Sequence, residues 1–197
     1  MPKSVGVVLL LASFVLWFSL VWSPDQGWRF DGIEVATAPK GGEFTLHSQQ
    51  GPIQLSDLKG KVVLLYFGYT WCPDICPTSL AIISNALNQL SPSEQSKVQP
   101  LFISVDPKRD SLERLANYTH YFHPKILGIT GTDKEISEVA KQYGAVYRRM
   151  DNTTEEGYSV DHTAEINLID PKGQWVTSIP HETPAKEIEV LVRALIP

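Results

Sequence analysis

The chain has 197 residues, 43% hydrophobic side chains and a formal net charge of −5 at pH 7. This length is enough for one well-packed domain with a short appendage. The acidic balance argues against a protein that binds nucleic acid or anionic lipid through charge, and two cysteines are too few for a disulfide-stapled scaffold.

The first predicted element is a membrane-spanning helix at the N-terminus. Residues 5–22 carry no charged side chain, and a helix of about 20 apolar residues crosses the hydrocarbon core of a bilayer. Lys3 precedes this run and Asp25 follows it, which favours a cytoplasmic N-terminus. We therefore expect residues 1–22 to form a single-pass anchor in a bacterial inner membrane, with the following residues in the periplasm. The alternative is a cleaved signal peptide, but the run is long for one and the nearest Ala-x-Ala, at 36–38, lies well beyond it.

Residues 23–40 show neither strand nor helix periodicity, and their prolines and glycines indicate a tether to a folded domain at 41–197. In chain order, the patterns in that domain predict two short strands (43–48 and 52–55), a continuous apolar strand (59–70), a helix (77–90), a second apolar strand (98–106), a helix (111–121), a short strand (126–130), an amphipathic helix (133–144), three later strands (145–150, 163–170 and 174–180) and a last helix (183–196). This order is typical of a thioredoxin-like α/β sandwich, here preceded by the transmembrane helix.

The two cysteines, Cys72 and Cys76, lie where the first apolar strand gives way to the first helix, and Pro77 is predicted to be the first helical residue. Unpaired backbone N–H groups and the helix dipole stabilise a thiolate at such a position. The pair could be a structural disulfide, a redox couple or part of a metal site. Zinc normally takes four ligands, whereas Cu(I) prefers thiolate and accepts few ligands, so two cysteines and one histidine would suffice for copper.

The chain offers five candidates for a third ligand, which are His47, His120, His123, His162 and His181. Four of them are interpreted as solvated or helix-end residues, in an N-terminal strand, at the end of a surface helix or in an exposed loop. His162 differs because it immediately precedes a predicted core strand, in the loop that thioredoxin-like folds place against the redox helix. It is therefore the candidate that joins Cys72 and Cys76.

Segments 60–80, 103–118, 128–132 and 158–173 together resemble the Sco/SenC family of copper chaperones and thiol oxidoreductases, from about Phe44 to Ile196. The most specific part is the combination of "CPDICP" with a later "VDH". The resemblance implies a membrane-tethered domain that delivers copper to the dinuclear copper site of cytochrome c oxidase subunit II.

By position, the resemblance implies that Cys72, Cys76 and His162 are copper ligands. Asp74 corresponds to the family's acidic residue between the cysteines. It either supports the segment that carries the two cysteines (residues 69–76, here called the metal loop) and tunes the pKa of a ligand there, or only favours the helix start. The segment "DPKRD" at 106–110 is interpreted as structural, with Asp110 and Glu113 starting a helix in the manner of a capping box.

Three residues depart from the family pattern. Trp71 places a large aromatic ring beside the metal loop, and Glu165 and Asn167 stand where the family is usually more apolar or aromatic. These last two bear on the shape of a partner-facing surface and not on the ligand set.

A second function uses the same residues, since Cys72 and Cys76 also suit a redox-active dithiol that keeps the oxidase cysteines reduced. His162 favours copper because a dithiol exchanger needs no imidazole ligand. A peroxiredoxin-like peroxidase is disfavoured because its P-x-x-x-T/S-x-x-C pattern is absent ahead of Cys72. The expected partners are subunit II, another periplasmic copper carrier or thiol reductant, and the membrane through the N-terminal helix, with no nucleic acid.

Overall fold

The computed structural model of the protein describes residues 39–154 and 157–197, apart from the side chains of 151–154. The predicted anchor at 1–22 lies outside the described residues, as does the predicted tether except for its last two residues. Within the described ranges, no helix combines the length and the apolar character needed to cross a bilayer.

Strands and helices alternate much as the sequence predicts. In chain order they are β1 (Thr45–Ser48), β2 (Gly51–Gln54), β3 (Val62–Gly68), α1 (Ile75–Asn88), α2 (Pro92–Gln95), β4 (Val98–Ser104), α3 (Leu112–Phe122), β5 (Leu127–Ile129), α4 (Asp133–Gln142), β6 (Tyr147–Thr154), β7 (Gly157–His162), β8 (Ile166–Ile169), β9 (Trp175–Ile179) and α5 (Ala185–Leu195), with a 3₁₀ turn at Leu55–Leu58.

The central sheet has five strands in the order β5-β4-β3-β8-β9. Its middle strand, β3, runs parallel to β4 and antiparallel to β8. Every residue of β3 is buried, as its continuous apolar sequence predicts for a strand covered on both faces. Successive side chains alternate between two cores, with Leu65 and Phe67 on one face and Leu64 and Tyr66 on the other.

Helices cover both faces of this sheet. On one face α1, α3 and α5 contribute buried side chains that include Leu80, Leu115 and Ile188. On the other face α4 contributes Ile136 and the β1–β2 hairpin contributes Leu46. These layers are those of the predicted thioredoxin-like α/β sandwich, which the structure confirms.

The helix that follows β3 begins earlier than predicted. α1 starts at Ile75 with Asp74 as its N-cap residue, two positions before Pro77. The first N–H groups of any helix lack an intrahelical partner, so proline fits within the first turn and does not fix its first residue. Cys76 consequently lies inside the first turn of α1, and Cys72 lies in the turn ahead of it.

The start of α3 also differs from the prediction. Its N-cap residue is Ser111, whose hydroxyl accepts a hydrogen bond from the backbone N–H of Arg114. Asp110, the predicted cap, is instead buried and accepts hydrogen bonds from the hydroxyls of Thr70 and Ser104. The predicted ion pairing of this segment is present, between Arg109 and Asp106.

A third difference concerns His162, which is the last residue of strand β7 and not part of a loop. β6 and β7 pair with each other as an antiparallel two-stranded sheet that is separate from the central one. Within β7 only Val160 is buried. The segment therefore lacks the alternation of apolar and polar residues from which a strand is recognised in sequence.

Candidate metal centre

The end of β3 makes room for a sulfur atom. A Cβ atom added at Gly68 would lie 2.6 Å from the Sγ of Cys76 and 2.8 Å from the Cε2 of Phe102. The bare backbone of Gly68 therefore forms a cradle that any larger residue would fill. Because Cys76 is fully buried in this cradle, its sulfur is held in place by packing as well as by its helix.

Cys72, Cys76 and His162 form the group that the sequence predicted. Their Sγ, Sγ and imidazole nitrogen atoms all lie within 4.8 Å of one another. The Sγ of Cys76 lies 3.3 Å from the Nε2 of His162, and the backbone N–H of Cys76 donates to the Sγ of Cys72 over 3.4 Å. Bonds from a metal ion such as zinc to sulfur and nitrogen are about 2.3 and 2.1 Å long, so atoms this close to one another are placed to share one ion.

The hydrogen bond on the far side of the His162 ring orients it for metal binding. Its Nδ1 lies 2.9 Å from the carbonyl oxygen of Thr163. A carbonyl only accepts hydrogen bonds, so we infer that Nδ1 carries the proton. The lone pair of Nε2 then points at the cysteines, in the arrangement that metal-ligating histidines adopt.

The two thiols have opposite acid–base properties. A hydrogen bond from Cys76 is the main cause of a pKa for Cys72 far below that of an ordinary thiol, and the helix-start N–H of Cys76 adds to it against the effect of burial. Burial raises the pKa of Cys76, and its hydrogen bond to the Cys72 sulfur and that sulfur's charge raise it further. One proton is therefore shared by the pair, with Cys72 as the half-buried thiolate and Cys76 as the buried thiol.

Aromatic rings enclose the buried side of the centre. The hydroxyl of Tyr66 lies 3.9 Å from the Sγ of Cys76, and burial raises the pKa of Tyr66, so this hydroxyl stays neutral. The rings of Tyr66 and Tyr69 stand edge-on to the His162 imidazole, with centroid distances of 6.3 and 5.8 Å. The centre is buried on this side and reaches solvent on the Cys72 side.

Asp74 reaches the centre through its backbone and not through its carboxylate, because a hydrogen bond from its backbone N–H helps to lower the pKa of Cys72. Its side chain is exposed and caps nothing, while its backbone carbonyl accepts from the N–H and hydroxyl of Thr78. Asp74 is thus the N-cap residue of α1 by position, and its backbone also contributes to stabilising the Cys72 thiolate.

The other histidines are not brought to the centre. In the part of the chain that the structure describes, Cys72, Cys76 and His162 are the only group of three or more such side chains placed to hold a metal ion. His123 lies at a helix end as expected, as the C-cap residue of α3, but it is buried, and its Nδ1 accepts a hydrogen bond from the N–H of Lys125. Burial lowers the pKa of His123.

Of the three residues that depart from the family pattern, two are exposed and one is buried. Trp71 is 44% exposed beside the centre, with the guanidinium of Arg114 lying 4.4 Å from its ring. Glu165 is exposed. Asn167 is buried within the central sheet, where its side-chain oxygen accepts from the indole N–H of Trp175, so it belongs to the interior and not to a partner-facing surface.

Several residues around the centre were not singled out from the sequence. Tyr66 and Gly68 could have been found, because they alternate with Phe67 on β3 and so face the helix that carries Cys76. Tyr69 and Tyr158 could not, because their contacts depend on how the β6–β7 hairpin packs.

Comparison with known proteins agrees with this geometry. The SCO1/SenC family model matches residues 34–196. The SCO2-like protein RP587 of Rickettsia prowazekii is 41% identical over 157 residues, which cover 78% of this chain and 75% of that protein. The structure of Bradyrhizobium japonicum ScoI with copper bound is 36% identical, with a TM-score of 0.72 over 79% of this chain and 98% of that one.

A third likeness concerns redox chemistry. BsSco, in which a disulfide switch was identified, is a member of the Sco family of cytochrome c oxidase assembly proteins. It is 26% identical, with a TM-score of 0.64 over 83% of this chain and 97% of that one. The extent of the family match and these likenesses show that the chain belongs to the SCO1/SenC family.

Proposed function

We propose that this protein carries copper on Cys72, Cys76 and His162 and delivers it to the dinuclear copper site of cytochrome c oxidase subunit II. The observation that carries the proposal is the meeting of two sulfurs and one imidazole nitrogen within 4.8 Å, with the sulfur of Cys76 held in the Gly68 cradle. Thiolates select Cu(I), and imidazole suits both oxidation states of copper. The copper-bound structure of the Bradyrhizobium protein supports the same ion here.

The difference in burial between the two cysteines suits a carrier that must release its cargo. Cys76 is buried and Cys72 is half-buried at the mouth of the site, so an incoming ligand from a partner reaches copper on the Cys72 side. Loading removes the proton from Cys76, because only thiolates bind the metal, and release returns it. Displacement of Cys72 first and Cys76 last would then move the ion without exposing it to water.

Thiol-disulfide exchange is the second candidate, and the half-buried Cys72 thiolate favours it. This thiolate would attack a partner disulfide, forming a mixed disulfide and releasing one partner thiolate. Cys76 would then lose its proton and attack the Cys72 sulfur, releasing the second partner thiolate. The balance is one disulfide gained by this protein and one disulfide reduced in the partner, which would be the cysteine pair of subunit II.

The copper role is tested by loading the reduced full-length chain under anaerobic conditions and measuring copper per chain. We expect one tightly bound copper. Cys72→Ser or Cys76→Ser should abolish tight binding, and His162→Ala should weaken Cu(II) more than Cu(I). His120→Ala, at an exposed position of α3, is the matched control. Stoichiometric copper in a variant that lacks both cysteines would refute the proposal.

The two functions are separated by mixing experiments with subunit II. Copper-loaded protein should transfer its metal to reduced subunit II, whereas a reductase would convert oxidised subunit II to the dithiol without any copper. Copper transfer without reduction of oxidised subunit II supports delivery. Reduction of oxidised subunit II without copper transfer supports the reductase role.

We also propose that residues 1–22 anchor the protein in a bacterial inner membrane with its folded domain in the periplasm. The uncharged run at 5–22 supports this. Mass spectrometry of the membrane fraction should find the N-terminus intact, and a mature N-terminus between Val21 and Pro39 would instead indicate cleavage.

A further inference from the structure

The strand that carries His162 is not held by the central sheet. Among the described residues, β7 pairs only with β6, in a separate two-stranded sheet. Cys72 and Cys76, in contrast, follow β3 at the centre of the molecule. The distance between the imidazole and the two sulfurs therefore depends on side chains that tie β7 to the rest of the domain.

One such tie joins β7 to the segment after β4. The Tyr158 hydroxyl donates to the Oδ1 of Asp106 over 2.7 Å, and Asp106 is nearly fully buried. The Nη1 of Arg109 donates to the Tyr158 carbonyl over 2.7 Å, and its Nε forms an ion pair with Asp106. The guanidinium also lies 3.7 Å from the centroid of the Tyr158 ring. The Asp106–Arg109 pair thus binds both the side-chain hydroxyl and the backbone carbonyl of Tyr158.

A second tie joins β7 to the metal loop itself. The backbone N–H of Val160 donates to the hydroxyl of Tyr69 over 3.3 Å. Tyr69 stands three residues before Cys72, and Val160 stands two residues before His162. This bond therefore links the segment that carries the cysteines to the strand that carries the histidine, close to the ligand residues on both sides.

We propose that Tyr69, Asp106, Arg109 and Tyr158, here called the β7 clamp, are positioning residues that hold the His162 Nε2 at the distance copper requires. The inference rests on the proposed copper role of Cys72, Cys76 and His162. Two thiolates hold Cu(I) without help, but Cu(II) depends more on imidazole. The β7 clamp therefore sets how well the protein holds Cu(II) relative to Cu(I).

The test removes single hydroxyl groups and leaves the rings in place. Tyr69→Phe and Tyr158→Phe each delete one hydrogen bond of the β7 clamp. Tyr143→Phe is the matched control, because its buried side chain belongs to the same core as Tyr69 and its hydroxyl donates over 2.8 Å to the carbonyl of Gly42. All three variants lose one hydrogen bond, and those of Tyr69 and Tyr143 are both between neutral groups, whereas Tyr158 loses a stronger bond to a carboxylate. Only the Tyr69 and Tyr158 variants loosen β7.

In the full-length chain, we expect each clamp variant to weaken Cu(II) by about three- to tenfold, which is the worth of one hydrogen bond. The thiolate-to-Cu(II) absorption should shift as well, while Cu(I) affinity changes by less than about twofold. Tyr143→Phe should leave both affinities and the spectrum as in the parent chain. An equal loss of Cu(II) in Tyr143→Phe would overturn the proposal by showing that general stability is responsible.

A copper-free measurement separates this inference from the proposed function. Amide hydrogen exchange at Val160 in the metal-free protein should accelerate about three- to tenfold in Tyr69→Phe and stay unchanged in Tyr143→Phe. If the parent chain binds no copper, the proposed function fails, whatever the exchange shows. If the Tyr69→Phe/Tyr158→Phe double variant keeps the parent exchange rate and Cu(II) affinity, the β7 clamp is refuted.

Discussion

At the scale of single residues, Gly68 matters because the Cys76 sulfur occupies the space that a side chain at position 68 would need. We expect Gly68→Ala to displace the Cys76 sulfur, because the new Cβ atom would lie 2.6 Å from it. The variant should lose about 1–3 kcal/mol of unfolding free energy from overpacking and should bind less copper. Urea unfolding and copper titration measure the two effects.

Gly128→Ala is the matched control, because its Cβ atom would lie 2.9 Å from the Cβ of Leu115, away from the metal centre. It should be destabilised to a similar degree while binding copper normally after correction for the unfolded fraction. If Gly68→Ala also binds copper as the parent chain does, the cradle is not needed for the metal site.

The shared proton of the cysteines gives a pH-dependent prediction. The thiolate is the reactive form, and the pKa of Cys72 is far below the usual thiol value of about 8.5. In the metal-free protein, its alkylation rate should therefore remain nearly constant as pH falls from 8 to 6. An ordinary thiol loses about tenfold per pH unit in this range. Iodoacetamide labelling followed by peptide mass spectrometry measures the rate.

Cys76 provides the internal comparison for this experiment. It is buried, and its pKa is raised by that burial and by the neighbouring thiolate. We expect it to remain unlabelled throughout the range. A tenfold fall in Cys72 labelling with each pH unit below 8 would show that the helix start and Cys76 do not stabilise the thiolate.

At the scale of elements, the sequence predicts those parts of the fold in which burial produces a regular pattern. β3 is buried on both faces and was predicted from its unbroken apolar run. β7 buries only Val160 and was predicted as a loop. The grouping of Cys72, Cys76 and His162, the proposed ligands, was predicted from residue type and position in the chain. The β7 clamp could not be predicted, because Tyr158 meets Asp106, and Val160 meets Tyr69, only after the hairpin has packed.

The start of α3 shows a further limit of sequence patterns. Asp110 and Ser111 are adjacent, and either residue type caps helices well. The structure uses Ser111 as the cap and buries Asp110. Burial of a carboxylate requires several hydrogen-bond donors. One of these is Ser104 at the end of β4, but the others belong to Thr70, which is 40 residues away in sequence.

Asp110 is therefore predicted to hold together the metal loop, the end of β4 and the start of α3. It accepts from the Thr70 N–H (2.9 Å) and from the hydroxyls of Thr70 and Ser104 (both 2.6 Å). Asp110→Ala leaves these buried donors without an acceptor, so we expect a loss of about 2–4 kcal/mol in unfolding free energy. Since Thr70 stands two residues before Cys72, copper affinity should fall as well. Urea unfolding and copper titration measure both.

Asp133→Ala is the comparison, because Asp133 is an exposed acid in the first turn of α4. It should change stability by about 0.5 kcal/mol or less. A similarly small effect of Asp110→Ala would mean that water replaces the lost carboxylate, and that Asp110 does not anchor the metal loop.

At the scale of the whole molecule, the metal centre lies where three separately stabilised parts meet. The central sheet supplies Gly68 at the end of β3, α1 supplies the buried Cys76, and the β6–β7 hairpin supplies His162. Only the first two parts are built into a core along their full length. The position of the hairpin, and with it the distance from His162 to the two sulfurs, thus depends on the β7 clamp.

The last prediction concerns copper carriage and disulfide chemistry, which exclude each other because both use the same two thiolates. Oxidation to a Cys72–Cys76 disulfide should release bound copper, since a disulfide sulfur is no longer a thiolate ligand. Bound copper should in turn protect Cys72 from alkylation. Copper retention after anaerobic loading and stepwise oxidation, together with labelling of loaded and metal-free protein, measures the two effects.

His162→Ala is the informative variant for this experiment, because it keeps both thiols and removes the imidazole. It should form the disulfide as the parent chain does, yet lose Cu(II) at an earlier stage of oxidation. If the oxidised parent chain holds copper as firmly as the reduced chain, the ligands must lie elsewhere. His120 and His123 would be the next candidates, but the Nδ1 of His123 is already bonded to the N–H of Lys125, so only its other nitrogen could serve.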